Sequence, residues 1–279
     1  MKTVAIALWV ALAPADHVTF LVMGKTVNHR QNPAGGALAL LNYHFFAEIF
    51  VKDGGRVSEA SLQLPDGTVH PFEDLGFVQE VHGGRYRREA ELDREYPNGD
   101  YRFRFATPDG NVEGRALSVR GTGEGTSRIP EPVRIFLNQD GQEVSPAAVD
   151  PEKDLRITWS PFASGGPDPN GILDDLMFVV LGDCHGAKTV HSGRPFEGTG
   201  YLSYTAADYV IPASKLAPGE PHQMFIEHAR VDTSKEDGIV GLVTYAATTF
   251  LDFETTGKAA GKPCPAVMPK IDAGQTDRP

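Results

Sequence analysis

The chain has 279 residues, of which 41% are hydrophobic and 23% charged, and its formal net charge is −11. These proportions are typical of a globular protein and exclude a disordered or membrane-embedded chain. The acidic balance argues against nucleic acid as a partner, because phosphate-binding surfaces are built from clustered Lys and Arg. The length predicts one large domain or two ordinary ones.

The first fifteen residues have the layout of a secretory signal. Lys2 supplies a positive charge, an apolar run of about ten residues follows it, and Ala13 and Ala15 form a small-x-small ending before Asp16. The run is too short to span a bilayer, and a buried first strand is the alternative interpretation. No later stretch is apolar enough for a membrane helix, so we expect a secreted or periplasmic protein with no membrane insertion.

The chain contains two cysteines, Cys184 and Cys264. In an oxidising compartment we expect them to pair and to fix the Pro-rich tail to the second domain. Two independent thiols are the alternative, because sequence does not reveal geometry.

After Asp16 the sequence shows short alternating runs that are broken by turn residues about every ten positions, a pattern typical of an all-β sandwich. In the segment from Tyr101 to Phe105 the aromatic residues share one face and the two arginines share the other, so one face should pack and one should be solvated. The predicted strands cover residues 43–52, 60–64, 100–106, 155–159, 176–181, 222–231 and 239–253.

A polar, Gly- and Pro-rich stretch divides the chain into two blocks. We therefore predict two tandem β-sandwich domains of the immunoglobulin or fibronectin III type. The expected order is a signal peptide (1–15), an N-terminal sandwich (16–121), a linker (122–132), a C-terminal sandwich (133–256) and a flexible tail (257–279).

Several of these motifs resemble those of known families. The segment Leu-Arg-Ile-Thr-Trp at 155–159 resembles the early strand that carries the buried Trp of fibronectin type III modules. The segments 211–219 and 224–226 are similar to the turn and central core strand of that family. Segments 57–67 and 96–101 resemble the leading domain of uncharacterised exported bacterial proteins with tandem β-sandwiches. The resemblance implies a fold and supplies no catalytic residues.

The histidines are the first candidate site. His222 and His228 lie six residues apart on one predicted strand, and His185 and His191 have the same spacing. Such pairs are separated by roughly 20 Å, so a zinc or copper ion would need one histidine from each run. The alternative is that His222 and His228 flank the apolar face of their strand.

A second candidate is the loop at 168–175, whose Asp168, Asn170, Asp174 and Asp175 supply oxygen ligands of the kind that calcium prefers. The loop lacks the terminal Glu of an EF-hand, and the alternative is an ordinary turn. No compact ligand motif is present, so we expect no cofactor unless zinc, copper or calcium binds at one of these two places.

Tyr201, Tyr204 and Tyr209 lie in a Gly- and Ser-flanked region and are the candidate ligand-binding surface. Packing in the core is the more common fate of aromatic residues. Aromatic residues also lie on both faces of the strand at 43–52, so at least one of its faces should belong to the core.

Catalytic residues are not identified, because the sequence contains none of the common hydrolase, metalloprotease or phosphate-binding motifs. We therefore predict an exported, non-catalytic binding or structural protein that presents two β-sandwich domains to a glycan or protein ligand. The alternatives are an enzyme that acts on a carbohydrate or small molecule in an interdomain groove, with the histidines as metal ligands, and an assembly subunit joined through sheet edges. Neither the oligomeric state nor the identity of the ligand follows from the sequence.

Overall fold

The computed structural model describes residues 13–121, 127–196, 198 and 200–269, and strands dominate this part of the chain. The strands are β1 (Val18–Gln31), β2 (Leu38–Val51), β3 (Ser58–Gln63), β4 (Val69–Pro71), β5 (Glu73–Asp74), β6 (Val78–His82), β7 (Gly99–Thr107), β8 (Gly110–Val119), β9 (Ile135–Gln139), β10 (Gln142–Glu143), β11 (Leu155–Trp159), β12 (Leu176–Gly182), β13 (Lys188–His191), β14 (Leu202–Ser203), β15 (Asp208–Ile211), β16 (Pro221–Glu236) and β17 (Ile239–Glu254). One short helix, α1 (Glu89–Glu95), precedes β7.

Nine strands form a central sheet. Its order is β13-β12-β16-β17-β1-β2-β6-β5, and β14 pairs with β12. Two four-stranded sheets, β4-β3-β7-β8 and β10-β9-β11-β15, make up the rest of the β-structure described. The prediction of an all-β sandwich fold is confirmed, and each predicted strand corresponds to an observed one.

Both small sheets pack on the same face of the central sheet, which we call the first face. One core joins β1, β2 and the start of β17 to the sheet of β3, β7 and β8. The second core joins β12, β16 and the end of β17 to the sheet of β9, β11 and β15, and it contains the buried Trp159 of the fibronectin-like motif. Each sequence block therefore has its own sandwich layer.

The central sheet itself is continuous across the two blocks. Strand β1 pairs with β17 in parallel over eleven residue pairs, from Phe20 with Val240 to Arg30 with Phe250. The side-chain amide of Gln31 continues the connection, because it donates to the carbonyl of Ile135 at 2.7 Å and accepts from the amide of the same residue at 2.8 Å. The two sandwiches thus share one continuous central sheet.

The alternation of aromatic residues and arginines at 101–105 gives a strand with one buried and one exposed face, as predicted. Tyr101, Phe103 and Phe105 are buried in the first core, and Arg102 and Arg104 are exposed. Burial of the aromatic face supplies the stability of this strand, since each such side chain contributes roughly 1.5–3 kcal/mol.

Part of the predicted linker packs onto the sheet. Within the described residues 127–132, the Arg128 guanidinium donates to both carboxylate oxygens of Asp232 and lies 4.4 Å from the ring centroid of Tyr245. Ile129 packs against the first core, and the carbonyl of Glu131 faces the His228 Nε2 atom at 2.9 Å. This segment is held by specific contacts.

Cys184 and Cys264 form a disulfide with a Cα–Cα distance of 5.5 Å, so the predicted pairing is confirmed. The bond holds the described part of the tail, 257–269, beside β12 and β16, where the Gln223 amide donates to the carbonyl of Pro269 at 2.8 Å. Among the described residues, no helix is long and apolar enough to cross a membrane. Residues 1–12 of the predicted signal segment lie outside the described residues.

Candidate functional site

The candidate site lies on the second face of the central sheet, opposite the two small sheets. Successive side chains of a strand point to opposite faces of the sheet, so every second residue of a strand lies on this face. Strand pairing places Val22 beside Leu242 on one side and beside Glu48 on the other, and it places Leu176 beside Ala229. These rows form a surface that spans strands from both sequence blocks.

A partly enclosed cavity of about 110 Å³ occupies this second face. An engineered apolar cavity of roughly 150 Å³ holds a benzene molecule, so this smaller, partly open space suits a short alkyl group or a ring that stays partly exposed. Five phenylalanines line it together with aliphatic side chains. The aromatic lining consists of Phe20, Phe46, Phe50, Phe178 and Phe225.

Ring contacts fix much of the lining in place. Phe20 stacks on Phe50 with ring centroids 4.3 Å apart, and Phe225 lies 5.4 Å from Phe250 across the β16–β17 pair. Aromatic pairs at these separations contribute roughly 0.5–1.5 kcal/mol beyond their area of burial. The walls of the cavity are therefore set by the sheet and by the packing of its own side chains.

Gly24 allows two strands to approach closely near the cavity. A Cβ atom at this position would lie 2.1 Å from the Thr244 Oγ1 atom and 2.4 Å from the Thr244 carbonyl oxygen. Thr244, which lines the cavity, occupies the space that a side chain would need. Glycine at position 24 is thus a requirement of the β1–β17 pairing beside the site.

Glu48 is the most unusual residue of the cavity. It lies on β2 between Phe46 and Phe50 on the same face, it is 5% exposed, and it lines the cavity. No described residue donates a hydrogen bond to its carboxylate. Burial, followed by the charges of Glu80 and Glu227, raises the pKa of Glu48 to about 8. The side chain is therefore mostly protonated at neutral pH.

Two acidic side chains lie near Glu48 on other strands. Glu80 is its direct cross-strand partner on β6, and Glu227 lies on β16 and lines the cavity. The Thr248 hydroxyl donates to Glu227 Oε2 at 3.0 Å, and Glu80 Oε1 lies 2.9 Å from the His82 Nδ1 atom. Like charges that lie close together are unfavourable, and the charges of Glu80 and Glu227 both favour the protonated form of Glu48.

His191 borders the cavity from β13. Its ring lies 5.4 Å from that of Phe178, and its Nδ1 atom accepts a hydrogen bond from the Gly193 amide at 3.2 Å. Burial, assisted by Arg194 and Lys188, lowers the pKa of His191 to about 4. The imidazole is neutral at neutral pH, and its proton resides on Nε2 because Nδ1 accepts.

The chain that follows β13 crosses the second face. Arg194 and Pro195 line the cavity, and the Phe196 ring lies 5.3 Å from that of Phe20. Phe196 is 43% exposed and has a φ angle of 66°, a left-handed conformation that is uncommon for a large side chain. This segment forms one border of the cavity.

A polar network adjoins the cavity at His44. The Asn28 Nδ2 group donates to Asn42 Oδ1 at 3.0 Å and lies 3.3 Å from His44 Nδ1. The Thr26 hydroxyl and the Asn28 Oδ1 atom are buried without a hydrogen-bond partner among the described residues. The second face thus changes from an apolar floor to a polar border along β1 and β2.

The structure does not bring the four predicted histidines together. His222 and His228 occupy even-numbered positions of β16 and point to the first face with Met224 and Ile226, and odd-numbered Glu227 points to the second face. The central sheet itself lies between these two faces. His191 on the second face therefore cannot share an ion with either histidine of β16 on the first face. This geometry excludes a metal site that combines His191 with His222 or His228, one of the combinations that the sequence left open.

Each of these histidines has a local environment of its own. His222 stacks on Phe253 at 5.1 Å, and its Nε2 atom lies 3.4 Å from the Ala217 carbonyl. His228 is fully buried and lies edge-on to Phe162 at 4.6 Å, and burial lowers the pKa of His228 to about 4.

His185 lies beside the disulfide between Cys184 and Cys264. It is exposed, and one of its ring nitrogens lies within 4.8 Å of the sulfur atoms of Cys184 and Cys264. Those sulfur atoms bond to each other, so they do not act as metal ligands in this structure.

The predicted calcium loop is organised by its own backbone. Asp168 Oδ2 accepts from the amides of Ile172 and Leu173 and from the Thr233 hydroxyl, at 2.7–3.0 Å. Burial would raise the pKa of Asp168, but these bonds and the one from the Asn170 amide together hold it below its usual value.

The other acidic side chains of the loop have similar partners. Asp174 accepts from the Asp168 amide, and Asp175 accepts from the amides of Gly166 and Val231. The Asn170 side chain donates to the Thr233 carbonyl at 2.9 Å. The arrangement is that of a structured turn before β12. The carboxylate oxygens that would bind calcium accept hydrogen bonds from backbone N–H groups instead.

The three candidate tyrosines belong to two different cores. Tyr201 packs against the apolar cluster of the second face, and Tyr204 and Tyr209 pack against the second core on the first face. All three are half-buried. They do not form one common platform.

Sequence reasoning missed Glu48 and Glu227, although a signal for Glu48 exists. In the segment 44–50 the residues His44, Phe46, Glu48 and Phe50 share one face, so an acidic residue interrupts an apolar row on a strand whose opposite face is also apolar. Because both faces of the strand are apolar, we would expect this carboxylate to be buried whichever face belongs to the core. For Glu227 the sequence contains no comparable indication.

Comparison with known proteins adds little to this geometry. No family model matches the chain, and no curated protein matches it. Among solved structures, the chain is similar to "Crystal structure of chicken CNTN1 FN1-FN3 domains", with a TM-score of 0.19 and 11% identity over 75% of this chain and 62% of that chain. The chain thus matches less than two thirds of that structure, and a similarity this weak indicates no function.

Proposed function

We propose that this protein is a binding protein whose cavity on the second face holds a compact, largely apolar ligand. The single observation that carries the proposal is Glu48, a buried carboxyl group with no donor among the described residues, set among phenylalanines in a cavity. Binding sites combine an apolar lining with a few polar groups that orient the ligand, and this cavity has that composition.

The support of the site suits a binding function. Strands β1, β2, β16 and β17 are 14–16 residues long and pair along their length, and they hold the lining residues on a continuous sheet. Residues on strands are positioned more accurately than residues on loops, which favours a preorganised site.

The proposed ligand differs from the glycan or protein surface expected from the sequence. A platform for sugars needs exposed aromatic rings side by side, and the candidate tyrosines pack into separate cores. The phenylalanine-lined cavity favours a small ligand that enters it.

Export is part of the proposal. A disulfide persists in oxidising compartments, and the first fifteen residues have the layout of a signal. The test is N-terminal sequencing of the protein recovered from the periplasm or medium of an expressing bacterium, with Asp16 as the expected first residue. Recovery of the full-length chain from the cytoplasm alone would contradict export.

A second candidate function is catalysis in the same cavity. A carboxyl group that is protonated at neutral pH, near a second acid such as Glu227, is the pairing that general acid catalysis uses. In that case a substrate with a compact apolar group would be turned over, and Glu48→Gln would abolish turnover without abolishing binding.

Benzyl alcohol is a suitable neutral probe of the cavity. We expect saturable binding, measured by calorimetry and by a rise in melting temperature. Phe46→Leu should weaken this binding about fivefold or more, because Phe46 lines the cavity. Phe136→Leu is the matched control, since Phe136 is exposed on β9 and remote from the site. Equal effects of the two variants, or no binding at all, would refute the proposal.

A further inference from the structure

The charge distribution around Glu48 indicates which polar group the ligand carries, and this inference rests on the proposed function. The ionisable side chains around the carboxyl group come from five elements. They are His44 on β2, Glu80 and His82 on β6, Glu227 on β16, Lys188 and His191 on β13, and Arg194 after β13.

The acidic neighbours dominate this environment. Glu80 and Glu227 each act on the carboxyl of Glu48 more strongly than Arg194 or Lys188, which act in the opposite sense. The neutral imidazole of His191 adds no charge at neutral pH, because burial lowers its pKa to about 4. The potential at Glu48 is therefore negative even though two cationic side chains line the same cavity.

The aromatic lining favours the same sign of charge. The face of a phenylalanine ring attracts a cation within about 6 Å, and this attraction is stronger where water is excluded. Five phenylalanines line the cavity, and Phe46 and Phe50 flank Glu48 on its own strand. An ammonium group at Glu48 would thus have a carboxylate partner and aromatic surroundings.

We infer that the ligand is a compact organic amine, whose ammonium group donates hydrogen bonds to the Glu48 carboxylate and whose apolar body packs against the phenylalanines. The proton that Glu48 carries in the unliganded protein passes to solvent when the ammonium binds. No other bond is made or broken. Since the pKa of Glu48 is about 8, binding at pH 7 should release about 0.9 proton per site.

Three probes of nearly equal shape test the inference: benzylamine, benzyl alcohol and benzoate. Calorimetric titrations at pH 7 in buffers of different ionisation enthalpy give the affinity and the number of protons released. We expect benzylamine to bind at least about tenfold more tightly than benzyl alcohol and to release about 0.9 proton, and we expect benzoate to bind least.

The Glu48→Gln variant keeps the size of the side chain and removes its charge. It should weaken benzylamine roughly 30-fold or more and abolish the proton release, while its effect on benzyl alcohol binding should be much smaller. Glu143→Gln is the control, because Glu143 is an exposed residue of β10, and it should behave as the original protein does.

The outcomes separate the two proposals. Benzyl alcohol that binds as tightly as benzylamine, or tighter binding of benzoate, would overturn the amine inference and leave the proposed cavity function standing. Failure of all three probes to bind would overturn both. These comparisons use the unmodified protein, so they remain decisive even if Glu48→Gln does not fold.

Discussion

Replacement of Glu48 by Gln should stabilise the protein in a pH-dependent manner. The folded state raises the pKa of Glu48 from 4.5 to about 8, so the folded state binds this proton more tightly than the unfolded chain does. The contribution of Glu48 to the free energy of unfolding is therefore fully present below pH 4.5 and is lost as the pH rises to about 8. Gln resembles the neutral acid in shape and does not titrate, so the variant should not suffer this loss.

The magnitude follows from the same pKa values. At 1.36 kcal/mol for each tenfold change in proton affinity, the full loss is about 5 kcal/mol above pH 8 and about 3 kcal/mol at pH 7. At pH 5 it falls to roughly 1 kcal/mol. These figures are upper values, because local relaxation and water entry reduce the cost of burying a charge.

Urea unfolding at pH 5, 7 and 8.5 measures the effect. The free energy of unfolding of Glu48→Gln should exceed that of the original protein by an amount that grows across this series. The exposed variant Glu143→Gln should show no such trend. A difference that is the same at pH 5 and pH 8.5 would refute the argument, since it would show that Glu48 does not carry a strongly raised pKa in the folded protein.

Three further predictions concern the scaffold. Gly24→Ala should lower the free energy of unfolding by about 2–3 kcal/mol in urea titrations, because the added Cβ would lie 2.1 Å from a neighbouring oxygen. Gly114→Ala is the control and should have a much smaller effect, because its Cβ would lie 3.8 Å from the nearest atom. Replacing Cys184 and Cys264 together by Ala should cost about 4 kcal/mol, because the bond closes a loop of 80 residues, and an unchanged melting temperature would contradict this. The pKa of His228 is lowered from 6.5 to about 4, so the stability that this neutral histidine confers is present above pH 6.5 and is lost as the pH falls to 4. His228→Gln should therefore reduce acid destabilisation by up to about 3 kcal/mol, and identical pH profiles for the two proteins would exclude this role.

Local sequence patterns determined the strands and several of their faces. The alternation at 101–105 correctly predicts a strand with Tyr101, Phe103 and Phe105 inside, because side-chain direction in a strand follows from the covalent geometry of the chain alone. The two cysteines are paired as expected. These features depend on neighbours in sequence or on a choice between very few partners.

The site required information that the sequence patterns do not contain. Strand parity places His222 and His228 on one face and Glu227 on the other, but only the packing of the small sheets decides which face becomes a core and which borders a cavity. The parallel pairing of β1 with β17 joins residues more than two hundred positions apart, and no local propensity specifies such a partner. This pairing carries the second face across both blocks and places Glu48 and Glu227 in one cavity. The sequence by itself thus determined the all-β class and the alternation along each strand, whereas the tertiary structure decided which strands became neighbours, because long-range strand pairing is set by the packing of the whole chain.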